Sequence, residues 1–103
     1  MRHTATLLLF VLFLCSCTHT PTRAERMEDK AAEYLQRTTH PMTDYVVAAK
    51  NLETNDTNFM GFISFKCIIG NQYSIYKIVF VSVKGDSIVY VGPSEETAMR
   101  ALE

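Results

Sequence analysis

The sequence predicts an α+β fold: an N-terminal helix packed on a three- to four-stranded antiparallel meander, followed by a short C-terminal helix. Three observations predict it. Apolar residues recur at helical spacing between Glu25 and Arg37. From Asp44 onward the pattern changes to runs of aromatic and β-branched residues, which strands favour. Two glycine-led turns, Gly70-Asn71 and Gly85-Asp86, then fold those runs back as hairpins. A chain of 103 residues has room for one small domain and not for two.

In chain order, residues 1–16 precede anything that reads as globular. Met1, Arg2 and His3 form a basic start, and an apolar run from Leu7 to Leu14 follows, with Ala5 ahead of it. That run is about half of the roughly 20 residues a helix needs to cross a bilayer, so it fits an export signal better than a permanent span. It ends in Leu14-Cys15-Ser16-Cys17. This resembles the lipobox of bacterial lipoproteins, where a branched apolar residue stands three before an obligatory Cys and a small residue directly before it. Leu14 and Ser16 fill those places for Cys17, whereas Cys15 has bulky Leu14 directly before it. The resemblance implies a diacylglycerol on the Cys17 thiol, cleavage after Ser16, and acylation (typically by palmitate) of the new amino terminus. Of the three cysteines, this leaves Cys67 without a disulfide partner, so stability has to come from the core. Residues 17–24, Thr-rich and broken by Pro21, read as the lipidated Cys and a flexible tether to a domain over 25–103.

The first helix is expected from about Glu25 to Arg37. Met27, Ala31, Tyr34, Leu35 and Thr38 share one face, and Glu28, Asp29, Lys30 and Glu33 take the other. His40-Pro41 stops it, because the residue before proline is pushed out of the helical region. Tyr45–Leu52 reads as a first strand and 53–58 as a polar loop. Phe59–Ile69 and Tyr73–Val83 read as the two arms of the first hairpin.

A two-residue turn at Gly70-Asn71 pairs Phe65 with Tyr76, Ile63 with Ile78, Gly61 with Phe80 and Cys67 with Ser74, which makes that side the core face. The turn at Gly85-Asp86 sets Ile88 opposite Val83 and Tyr90 opposite Val81, and places Val89 and Val91 on the core face. Gly92-Pro93 ends the last strand. Ser94 caps a short helix with an apolar stripe of Ala98, Met99 and Leu102. In shape this order looks like the cystatin arrangement, and the analogy is of fold alone. The Gln-x-Val-x-Gly loop of cystatin inhibitors is missing; Gln72-Tyr73-Ser74-Ile75-Tyr76 does not match it.

With that register, Met60, Phe62, Val79, Val81, Val83, Ile88 and Tyr90 form an apolar block on the second sheet face. It needs the last helix, another subunit or a ligand to cover it, and large apolar patches mark interaction sites.

Other chemistry is sparse. Cys67 and His40 are the one conceivable nucleophile and base, but a mid-strand core Cys is inert and His40 is a loop residue. His19, His40 and Cys67 do not converge as metal ligands, and Asn55-Asp56-Thr57-Asn58 lacks the glycine and closing glutamate of a calcium loop. Asn55-Asp56-Thr57 matches the Asn-x-Thr sequon, which beside a bacterial lipid signal is a chance match, and Asp86-Ser87-Ile88 resembles a short O-glycosylation motif of exported bacterial proteins, for which a hairpin turn is the favoured reading. The net charge of −1 and the scattered Lys and Arg argue against nucleic acid as a partner.

The expectation is therefore a non-enzymatic envelope lipoprotein without a cofactor. Lipid on Cys17 holds it at the outer membrane or the periplasmic face of the inner membrane, and it works as a binding or assembly module. Its protein partner, or a second copy, meets it at the second sheet face. The competing expectation is a lipid-anchored inhibitor or immunity protein against a protease, lysozyme or toxin.

Overall fold

The computed structural model describes residues 20–40 and 42–103. The segment expected to be a leader and lipobox, with Cys17, and His19 lie outside the described residues, as does Pro41. The elements run α1 (Arg23–Thr38), β1 (Met42–Asn51), β2 (Asn58–Ile69), β3 (Tyr73–Lys84), β4 (Ser87–Gly92) and α2 (Glu95–Arg100). The strands form a single antiparallel sheet in the order β1-β2-β3-β4, a plain meander. The expected α+β order is therefore the one the chain adopts.

Helix α1 begins two residues earlier than its apolar spacing suggests, because a capping box starts it. The Thr22 side chain accepts a hydrogen bond from Glu25 N at 3.2 Å, and the Glu25 carboxylate accepts one from Thr22 N at 3.5 Å. Arg23 and Ala24 thus belong to the helix rather than to the tether. The helix closes at Thr39, whose N–H donates to Leu35 O at 2.9 Å. Met27, Ala31 and Leu35 are its buried stripe. Tyr34 is half-buried, and Thr38 is exposed, its hydroxyl donating to Tyr34 O. Full burial of Met27 and of Leu35 contributes about 1.5–3 kcal/mol each.

The stripe packs on Ile63, Phe65 and Cys67 of β2, on Val79, Val81 and Val83 of β3, and on Leu52. Tyr45 of β1 extends this core, its ring edge-on to Phe65 at 5.6 Å. Gly61 of β2 lies beneath the helix: a Cβ there would stand 2.6 Å from Asn51 O and 3.1 Å from Met27 Cε. The end of β1 and the Met27 methyl come this close only over a residue with no side chain.

The β2–β3 register differs from the expected one by a single residue. Ile69 pairs with Tyr73, so the loop is Gly70-Asn71-Gln72 rather than Gly70-Asn71. Gly70 has φ +60°, and Gln72 N donates to Ile69 O at 3.3 Å. One added loop residue turns every β3 side chain to the opposite face. Phe65 consequently faces Lys77 instead of Tyr76, Ile63 faces Val79 instead of Ile78, Gly61 faces Val81 instead of Phe80, and Cys67 faces Ile75 instead of Ser74. The second hairpin turns at Gly85-Asp86 as expected and pairs Val83 with Ile88, but a bulge intervenes before Ser82–Tyr90 and Val81–Val91. Val91 packs on the core as expected, whereas Val89 is exposed at the bulge.

Candidate interaction surface

Two faces with different fates follow from this register. The first holds the odd-numbered residues of β2 and β3 and is covered by α1, except toward the Gly70 hairpin, where Tyr73 and Lys77 are exposed. The second holds Met60, Phe62, Ser64, Lys66 and Ile68 of β2. It also holds Tyr76, Ile78, Phe80 and Ser82 of β3, Asp44 and Val46 of β1, and Tyr90 of β4.

The residues proposed from the sequence for this second face therefore divide. Met60 and Phe62 are there, half-buried, and Tyr90 is there opposite Ser82. Val79, Val81 and Val83 are not: they are core residues beneath α1, with Val81 at 0% exposure, and Ile88 packs on that same core. Their place is taken by Tyr76 at 65% exposure and Ile78 at 49%, both assigned to the core from the sequence, together with Phe80. Val46 of β1, at 49% exposure, was not singled out at all. The signal that could have found the true register is the Val79, Val81, Val83 run of β3. Gly61 marks the close-approach face of β2 in either register, and that unbroken run opposite it suits a helix better than Ile78 and Tyr76 do.

Helix α2 covers one end of the second face. The Ser82 hydroxyl, fully buried, donates to Ala98 O at 2.5 Å, and Ala98 is buried with it. Ser94 caps the helix by accepting from Thr97 N at 3.1 Å, and its own N–H donates to the Tyr90 hydroxyl at 3.1 Å. Tyr90 reaches that position by lying across Gly92, where a Cβ would be 2.5 Å from its hydroxyl. The expected stripe of Ala98, Met99 and Leu102 holds only at Ala98. The helix ends at Arg100, Met99 is 56% exposed, and Leu102 sits half-buried in the turn that follows. One six-residue helix screens Ser82 and leaves Val46, Phe62, Ile68, Tyr76, Ile78 and Phe80 open at the other end.

The remaining groups carry little chemistry. Cys67, the free cysteine among the described residues, is fully buried. Burial pushes its thiol above the ordinary value of 9.0, and the charge of nearby Lys77 pulls it part of the way back. A neutral, enclosed thiol is a poor nucleophile. His40 is exposed in the turn after α1. Among the described residues no three His, Cys, Asp or Glu lie close enough together to hold a metal ion, and no described helix is long and apolar enough to cross a membrane. A hollow of about 450 Å3 between the start of α1 and the end of β1 is lined by Glu25, Glu28, Lys50 and Glu53. Lys50 and Glu28 pair there at 3.1 Å across its wall.

Arg23 is a residue that the sequence reading left in the tether. Its guanidinium donates to Asp56 O at 2.9 Å, to Thr57 O and Gly85 O at 3.1 Å each, and to Thr54 O at 3.4 Å. The planar fork of five donors suits a cluster of carbonyls that no other side chain could serve at once. It ties the start of α1 to the β1–β2 loop and the β3–β4 turn.

Compared with protein-family models, with curated proteins and with solved structures, the chain gives no match.

Proposed function

We propose that this protein is an envelope lipoprotein, anchored by lipid on Cys17, that works as a non-enzymatic binding or assembly module. Its contact surface is the open end of the second sheet face. The observation that supports the reading is the exposure of Tyr76, Ile78 and Val46 on a face already half lined by Phe62, Ile68 and Phe80. Single exposed apolar residues are ordinary, but a contiguous group on a rigid sheet has the character of a docking surface. The lipobox resemblance of Leu14, Ser16 and Cys17 supports the anchor and the envelope location.

Metabolic labelling with a clickable fatty acid tests the anchor: wild type takes label and Cys17→Ser takes none. Equal labelling of both would move the lipid elsewhere and end the Cys17 assignment. The surface is tested by purifying the labelled protein from its membrane beside Ile78→Lys. A binding partner, whether another protein or a second, differently tagged copy of this chain, accompanies wild type and is lost from the variant; retention of the same partner by both refutes the surface.

A further inference from the structure

We infer that the occupant of the open face is a second copy of this chain, packed sheet against sheet with the two-fold axis running along the strands. The inference deepens the binding-module reading, and its axis direction rests on the Cys17 anchor.

The edges of the sheet do not invite association. Edge strand β1 carries two irregularities, between Met42 and Asp44 and between Val47 and Ala49, and edge strand β4 is six residues long with a bulge of its own. Bulges and short edges are the means by which sheets resist edge-to-edge pairing. The face is the route left open. It is apolar at Val46, Phe62, Ile68, Tyr76, Ile78 and Phe80, and its charged groups there are one base, Lys66, and one acid, Asp44. A patch that is mostly apolar with balanced charge matches itself better than it matches a strongly charged partner. Isologous two-fold contacts require such self-complementarity.

Its size suits a dimer as well. Three strands spaced about 4.8 Å apart and some eight residues long at about 3.4 Å each cover roughly 400 Å2 of plane. With side-chain relief that is on the order of 600 Å2 of accessible surface per copy. Two copies then bury about 1,200 Å2, the lower end of the range for specific complexes. Confinement to one membrane raises the effective concentration of the copies and favours association at that size.

The axis follows from where the chain enters the fold. Arg23 fastens the start of α1 to Thr57 and Gly85, at the end of the sheet opposite the Gly70 hairpin, and α1 lies on the far face. An axis along the strands puts both entry points at one end, so both anchors reach one membrane. An axis across the strands sends them to opposite ends.

The full-length lipidated protein carrying Ser64→Cys tests the contact, since Ser64 lies mid-face on the central strand β2. Treated in membranes with a short bis-maleimide, it gives a covalent dimer, while Glu33→Cys on the exposed side of α1 gives none. Asn71→Cys at the hairpin tip links to its own counterpart with a longer bis-maleimide, as an axis along the strands requires. Adding Ile78→Lys to Ser64→Cys reduces the dimer at least tenfold while the circular dichroism spectrum stays that of the folded domain. No dimer from Ser64→Cys, a dimer that survives Ile78→Lys, or equal linking through Glu33→Cys overturns the inference. Failure of Asn71→Cys to link while Ser64→Cys does overturns the axis. Fatty-acid labelling of the same samples separates these failures from failure of the anchor.

Discussion

At Gly61 the side chain that is missing decides how close the end of β1 can come. A Cβ would meet the Asn51 carbonyl oxygen at 2.6 Å and Leu52 Cδ2 at 2.9 Å, and backbone cannot move aside as a flexible side chain can. Gly61→Ala is expected to cost about 1–3 kcal/mol, read as a lower urea midpoint with an unchanged slope. Cys67 poses a different question, that of pH. Its folded thiol holds its proton to higher pH than the unfolded thiol, which ionises near 9.0. The stability contributed by the neutral buried thiol is therefore complete below 9.0 and is lost as pH rises through the folded value. Urea unfolding at neutral and strongly alkaline pH should show wild type losing more stability than Cys67→Ala. Equal losses would mean that the thiol is solvated. The substitution itself costs on the order of 1 kcal/mol at neutral pH, through lost packing.

Elements are joined here by a few polar side chains acting on backbone. Arg23 is the most connected of them, because one guanidinium satisfies carbonyls from the β1–β2 loop and from the turn leading into β4. Arg23→Ala is expected to lower stability by about 1 kcal/mol, since two part-buried carbonyls, of Thr54 and Gly85, and two exposed ones, of Asp56 and Thr57, lose a charged donor. Arg23→Lys should recover only part, as an ammonium cannot present the planar fork. Hydrogen exchange would show the loosening at Thr54, Asp56, Thr57 and Gly85 before it reaches the core. The Ser82 hydroxyl does the corresponding service for α2. Ser82→Ala should release the last helix locally, at a cost of about 1 kcal/mol, while the sheet remains.

For the whole molecule, the two hairpin faces set the contrast that most directly tests the architecture. Val81 is enclosed beneath α1 and Ile78 is half exposed on the open face. Val81→Lys buries an unpaired charge and should unfold a domain of this size, whereas Ile78→Lys should leave a circular dichroism spectrum of the folded domain. The reverse outcome would restore the two-residue turn and exchange the faces of β3.

The sequence by itself determined the order and type of every element, because helical and strand periodicities and the capping and turn residues are local properties. It determined the position of the second turn, where Gly85-Asp86 admits a two-residue loop, and the buried place of Cys67 on β2. It could not determine the first loop. Gly70-Asn71 and Gly70-Asn71-Gln72 are both acceptable turns, and β3 has apolar residues on both faces, with Val79, Val81 and Val83 on one and Tyr76, Ile78 and Phe80 on the other. Local preference cannot choose between two such faces. The choice is made by α1: Gly61 lies on its side of β2 in either register, and the β-branched valines of β3 fill the space beneath Met27, Ala31 and Leu35. Which residues remain open to a partner is thus a property of the packed helix and sheet together, since one residue of register decides which side of β3 the helix covers.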